Sequence, residues 1–177
     1  PACLLNDNRN PHRTQEHVAI YLIAFYGQEQ VLCPGDGIVG DDTDGHIDDI
    51  TRFVNENTVL TVVEEDPADE NYEILQENLE KLRSFKLLNG ESLHIIELPM
   101  PAPVIHEETR LPASYANFYI ANDVVVVPIF NDKNDQRALE IIQGCFPTRQ
   151  VVGINSVDII WGLGSFHCLS QQEPALN

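Results

Sequence analysis

The order of the hydrophobic patterns constrains this chain more than any single residue does. Two stretches read as strand, turn, strand, amphipathic helix, strand. In the first, residues 47–54 and 58–63 read as two strands around the turn Asn55-Glu56-Asn57. Asp66 and Pro67 then predict a helix start, with Asp69 and Glu70 in the first turn. Tyr72, Leu75, Leu79, Leu82 and Phe85, at spacings of three and four, form its buried stripe. A strand over 93–98 closes the unit. The second stretch repeats the order: strands 115–121 and 124–129 around Asn122-Asp123, a helix 135–145, a strand 150–154. Its helix turns Ala138, Leu139, Ile142 and Cys145 inward. A partial unit precedes them. Thr14 predicts a cap for a helix to Phe25 with Val18, Leu22 and Phe25 on one face, Gly27 stops it, and 30–33 is a short strand. The units are only weakly alike in sequence, so the repeat is one of structure. Between them, Pro99, Pro101, Pro103 and Pro112 predict an irregular loop. The fold class is α/β.

At 177 residues the chain fits one domain with no internal boundary, long enough to bury a substantial core. Its formal charge is -18, from 28 acidic and 10 basic residues. Such a surface repels phosphate backbones and excludes nucleic acid as a partner. It steers cationic ligands inward, although acidity for solubility alone is an equal reading. No apolar run approaches the ~20 residues of a membrane span, so no membrane partner is expected. The opening Pro1-Ala2-Cys3-Leu4-Leu5 shows no signal-peptide pattern, and without a starting Met a processed or partial chain is expected. Cys3, Cys33, Cys145 and Cys168 are scattered, with no Cys-x-x-Cys pair. That argues against a zinc knuckle, a thioredoxin-type site and a disulfide framework, and for a reducing, cytoplasmic setting.

Two stretches could carry chemistry. Near the end, Gly162-Leu163-Gly164-Ser165-Phe166-His167 leads into Cys168. A free thiol has a pKa near ~8.5 and becomes a nucleophile when an imidazole or backbone donors lower it. The bland alternative is a buried apolar cysteine. His167 would point away from Cys168 if the segment is extended. The second stretch is Gly40-Asp41-Asp42-Thr43-Asp44-Gly45-His46-Ile47-Asp48. His46 and Asp48 share a face if that segment is extended. The histidine can shuttle protons, and the carboxylate can accept two hydrogen bonds from a planar cation. The other aspartates could be a solvated loop. A calcium loop is disfavoured because the closing Glu is missing, and no metal is assigned. His12, His17, His94 and His106 show no partner and are read as structural.

Together these stretches resemble the C-terminal half of the agmatine deiminase family, the Porphyromonas-type peptidylarginine deiminases of the guanidine-modifying (pentein) superfamily. The likeness is carried by Asn6-Asp7-Asn8-Arg9-Asn10-Pro11, the Gly40 to Asp48 stretch, Pro112-Ala113-Ser114-Tyr115-Ala116-Asn117-Phe118-Tyr119-Ile120, Phe146-Pro147-Thr148-Arg149 and His167-Cys168-Leu169-Ser170-Gln171-Gln172. It implies a partial fan of ββαβ units, about half of the full family fold. It places the nucleophile on Cys168 and the family's His-x-Asp pair on His46 and Asp48. The usual turn reads Gly-Gly-Gly-Asn-Ile before His-Cys, and here it is Gly162-Leu163-Gly164-Ser165-Phe166. The reaction implied is hydrolysis of agmatine to N-carbamoylputrescine and ammonia without a cofactor. Asp42, Asp44 and Gly164 are expected at the substrate.

Family members are about twice this length, and their other half supplies a further carboxylate in a Trp-x-Arg-Asp-like motif. No such motif occurs here, where Trp161 is the only tryptophan. A non-catalytic cation-binding remnant, or one part of a split enzyme, is therefore the rival reading. A metal-dependent hydrolase is a third. An incomplete fan exposes strand edges and apolar surface, so a partner is expected: a second copy in a homo-oligomer, or a separate N-terminal half.

Overall fold

The computed structural model describes residues 2–42 and 44–173. Pro1 and Thr43, both named above, lie outside them. Thr14 caps α1 (Gln15–Tyr26): its hydroxyl accepts from the His17 N–H at 3.3 Å, and His17 Nδ1 accepts from the Thr14 N–H at 3.4 Å. Gly27 ends the helix in the left-handed region at φ 63. The expected inward face forms only in part, with Val18 and Leu22 half-buried. Phe25 is 81% exposed, and Ile20, Tyr21 and Tyr26 also face out. The helix is apolar nearly all round, and its main neighbour within the chain is the short 3-10 turn Ala2–Leu5. There is too little here to bury it against.

The strand expected at 30–33 is also absent. The irregular chain after it is held by side-chain amides. Gly35 N–H donates to Asn78 Oδ1, Asn78 Nδ2 donates to the Asp36 carbonyl, and Val39 N–H donates to Asn71 Oδ1. A 3-10 turn, Ile47–Asp49, then leads into the first repeat unit. Only β1 (Thr51–Phe53) survives of the strand expected over 47–54. It pairs antiparallel with β2 (Thr58–Val63), Thr51 opposite Thr61. The helix does not start at Asp66. Asp66 Oδ1 accepts from Ala68 N–H and Asp69 Oδ1 from Asn71 N–H, which satisfies the 66–71 backbone as turns. Helix α2 (Tyr72–Ser84) follows Asn71 and buries Leu75, Asn78, Leu79 and Leu82. It returns the chain to β3 (His94–Pro99), parallel to β2.

The proline-rich stretch is not wholly irregular. Between Pro103 and Pro112 a hairpin forms, β4 (Val104–His106) with β5 (Thr109–Leu111), turned by Glu107 and Glu108 at φ 47 and 67. Positive φ at both central residues is the tight-hairpin geometry that matches strand twist. The strand expected over 115–121 shrinks to β6 (Tyr119–Ile120). Arg52 Nη1 takes the carbonyls of Ala116 (3.1 Å) and Phe118 (2.8 Å), so those oxygens leave the ladder. Then come β7 (Val124–Ile129), α3 (Asp135–Cys145) and β8 (Gln150–Asn155), with β6 antiparallel and β8 parallel to β7.

The two sheets, ordered β1-β2-β3 and β6-β7-β8, thus have one topology. Each is a ββαβ unit, as the sequence pattern predicts. They share a core in which Leu60, Leu75 and Leu98 meet Val125, Val127 and Ile142. Among the described residues no helix is long and apolar enough to cross a membrane.

Candidate active site

Three segments meet at the edge of this core, each supplied just outside a sheet. The turn before β1 brings Asp48 and Asp49. The packed turn before β6 brings Asn117. The turn after the 3-10 helix Ile159–Gly162 brings Ser165, His167 and Cys168. Cys168 Sγ donates to Asp48 Oδ2 at 3.2 Å, across 120 positions of sequence. His167 Nδ1 is hydrogen-bonded to the same oxygen at 2.7 Å. Segment 165–169 is a turn and not a strand, so His167 and Cys168 are not thrown to opposite sides. Residues 47–49 are likewise a 3-10 turn, so the extended geometry that would align His46 with Asp48 is absent. His46 stands at the start of that turn, its backbone N–H donating to Asp41 Oδ2 at 2.7 Å. Among the described residues, the imidazole that reaches Asp48 is that of His167.

Asn117 is fully buried, at 0% exposure. Its Nδ2 donates to Asp49 Oδ1 (2.8 Å), Asp48 Oδ2 (3.0 Å) and Cys168 Sγ (3.1 Å). Its Oδ1 accepts from the Ser165 hydroxyl (3.0 Å) and from the backbone N–H groups of Ser165 (3.1 Å), His167 (3.1 Å) and Cys168 (3.3 Å). The nearest sequence signal for it is a lone amide inside Tyr115-Ala116-Asn117-Phe118, where Tyr115, Ala116 and Phe118 are all buried. A polar side chain in such company must have partners.

The electrostatics follow from this crowding. Burial works to raise Asp48, but the hydrogen bonds from His167 and Cys168 outweigh it and hold the carboxyl well below its ordinary range. Asp49 has no such donors in number. Burial first, then the adjacent Asp48, push it up to about 8. The pair therefore carries one firm negative charge, on Asp48. Burial also pushes Cys168 up to about 12; the Asn117 hydrogen bond opposes this, while Asp48 and Asp49 add to it.

Gly164 is buried against the turn that carries Cys168. A Cβ there would lie 2.7 Å from Cys168 Cβ and 3.0 Å from its sulfur, so only glycine lets the thiol sit where it does. Asp42 and Asp44 are exposed on the loop before the site, Asp44 at φ 63. Asp48, Asp49 and Cys168 offer ligand atoms within 4.8 Å of one another, a set able to meet a divalent ion. The Asn117 amide already donates to all three. All four cysteines are free thiols, and Cys168 is the exposed one.

Two ββαβ units thus bring a thiol, a buried carboxylate and an imidazole to one edge of a shared core. Residues 1–174 match the model of the Porphyromonas-type peptidyl-arginine deiminase family, and the chain belongs to that family. A Legionella pneumophila (strain Paris) protein provisionally named agmatine deiminase is 39% identical over 173 residues, 97% of this chain and 50% of that one. A crystal structure from Porphyromonas gingivalis, provisionally named arginine deiminase, superposes with a TM-score of 0.93 at 37% identity, over 98% of this chain and 51% of that one. The agmatine deiminase of Enterococcus faecalis, described as catalyzing its reaction, superposes with a TM-score of 0.91 at 33% identity, over 98% and 52%. The chain thus spans about half the length of the relatives it matches.

Proposed function

We propose that the chain is the C-terminal portion of a guanidine deiminase that converts agmatine to N-carbamoylputrescine and ammonia, working in a reducing, cytoplasmic setting. The observation that carries this reading is the 3.2 Å contact between the Cys168 thiol and Asp48, a carboxylate held ionised by its donors. A guanidinium is planar, permanently charged and a poor electrophile. It needs a carboxylate to grip it and a soft nucleophile placed at its carbon. Asp48 supplies the grip. The same cation answers the raised pKa of Cys168: positive charge beside the sulfur favours thiolate, so the nucleophile forms when substrate arrives.

The thiol gives its proton to an imidazole, and the resulting thiolate adds to the guanidinium carbon. One C–N bond then breaks, and the departing nitrogen takes a proton from an imidazolium and leaves as ammonia. An amidino-thioether remains on Cys168. Water, relieved of a proton by the same imidazole, adds to that carbon. The C–S bond breaks, and the substituted urea leaves with the thiolate restored. The family's His-x-Asp pattern assigns the proton transfers to His46. The 2.7 Å contact of His167 with Asp48 favours a second reading, in which His167 moves the protons. Asp42 and Asp44 favour a substrate with a cationic tail, hence agmatine over arginine, and Gly164 leaves room for the guanidinium at the sulfur.

Incubating the chain with agmatine and weighing the Cys168 peptide tests the first half of the reaction. An amidino adduct on Cys168 supports the enzyme. Reversible binding without adduct supports the rival, a cation-binding remnant or an inactive part of a split enzyme. In an assembly that releases ammonia, Cys168→Ala is expected to lower the rate by at least about a thousandfold. Turnover surviving that change would remove the nucleophile assignment. Comparing His46→Ala with His167→Ala decides which ring carries the protons.

A further inference from the structure

The Asn117 side chain is more than a buried amide with satisfied partners, because it joins the reacting sulfur to both halves of the site. Its orientation is fixed by chemistry. Backbone N–H groups of Ser165, His167 and Cys168 need an acceptor, and the two carboxylates need a donor, so oxygen faces the turn and nitrogen faces Asp48 and Asp49. The backbone on either side is held as well, since Arg52 takes the carbonyls of residues 116 and 118.

The nitrogen has two protons and three acceptors within reach. With Cys168 as a thiol, the sulfur donates to Asp48 Oδ2 and asks nothing of the amide, whose protons serve the carboxylates. Once the thiol proton leaves, the sulfur becomes an acceptor, and an Nδ2–H already stands 3.1 Å away. No side chain has to move. We propose that Asn117 is the positioning residue of this site: its amide oxygen docks the nucleophile turn, and its amide nitrogen donates to the Cys168 thiolate. This rests on the reading of Cys168 as nucleophile, but it is testable without turnover.

The test is the rate at which iodoacetamide alkylates Cys168 in the whole chain, resolved by peptide mass and followed from about pH 7 to about pH 10. That rate tracks the thiolate fraction. Other charged groups stand around the sulfur: Asp48 and Asp49 from the 3-10 turn, Arg52 from β1, and His167 from the turn that carries Cys168, while Asp41 of the preceding loop acts on Asp49. Variants are therefore compared at matched pH. Asn117→Ala is expected to displace the rate–pH line so that alkylation at a given pH falls about tenfold or more. Asn117→Asp keeps the oxygen that docks the turn, replaces the donor with a second carboxylate oxygen, and is expected to react at least as slowly. Asn78→Ala, which removes a buried amide from α2 that serves the 34–37 segment, controls for general loosening and should leave the line in place. If Asn117→Ala folds and titrates as the parent does, or if Asn78→Ala moves the line equally, the proposal fails. Should Asn117→Ala not fold, Asn117→Asp decides alone: a parental line overturns the proposal, and a displaced one supports it. A displaced line in a chain that never forms an amidino adduct would leave Asn117 in its role and sink the deiminase reading instead.

Discussion

Asp48 and Asp49 are neighbours in sequence, yet the fold gives them opposite acid strengths. Asp49, raised to about 8 by burial and by Asp48, holds its proton more tightly folded than unfolded. Its stabilising share is complete below the unfolded carboxyl range and is lost as pH rises toward about 8. Asp48, held low, runs the other way: its share is present above the unfolded carboxyl range and is lost as pH falls. Asp49→Asn still offers Asn117 an acceptor and never ionises. Above about pH 8 it is expected to be more stable than the parent by about 1–3 kcal/mol, with the gap narrowing toward about pH 4. Urea unfolding across that range checks the sign, and parallel curves would refute it. At this scale the sequence singles out residues that carry their own chemistry, Cys168 and Asp48 among them, and the structure sets those two 3.2 Å apart. The sequence is silent on Asn117, Asp49 and Arg52, whose roles come only from what tertiary packing sets beside them. The extended segment that would turn His167 away is absent, and the turn in its place brings the ring to Asp48.

Elements were legible where local pattern and tertiary demand agree. Strand 58–63 and helix 135–145 stand at the expected residues because a β-branched run buried on both faces and a stripe of threes and fours have a core to face. They differ from the pattern where side chains satisfy the backbone another way, as Asp66 and Asp69 do before α2. The loop before the site shows the same lesson at Gly40. It sits at φ 89, pressed against the Arg110 carbonyl of β5, and a Cβ there would collide with that oxygen. Gly40→Ala therefore meets both backbone strain and a clash with main chain. It is expected to cost about 2 kcal/mol or more, read as a lowered melting temperature. A melt unchanged from the parent would show that the loop does not lean on the hairpin.

Over the whole molecule, the ββαβ repeat was visible in the order of patterns, while the fate of α1 was not. A helix with apolar residues on all sides predicts burial, but a single chain does not say whether the covering surface belongs to it. Ile20, Tyr21, Phe25 and Tyr26 stand in solvent here, in a chain half as long as its relatives. We expect that row to be covered by a second copy or by a separate N-terminal half. Sedimentation of the chain alone should show species heavier than a monomer, and the pair Ile20→Glu with Phe25→Lys should shift it toward monomer. A parent that already sediments as a compact monomer would count against a partner.

The surroundings of Cys168 arrive from 51 and 120 positions away along the chain. Until those distant loops close around it, the sulfur is an ordinary cysteine in an unremarkable tail. Folding by itself thus quiets the sulfur, lifting it to about 12, and a folded molecule carries a protonated thiol past oxidants and electrophiles that a half-opened one meets with an ordinary cysteine.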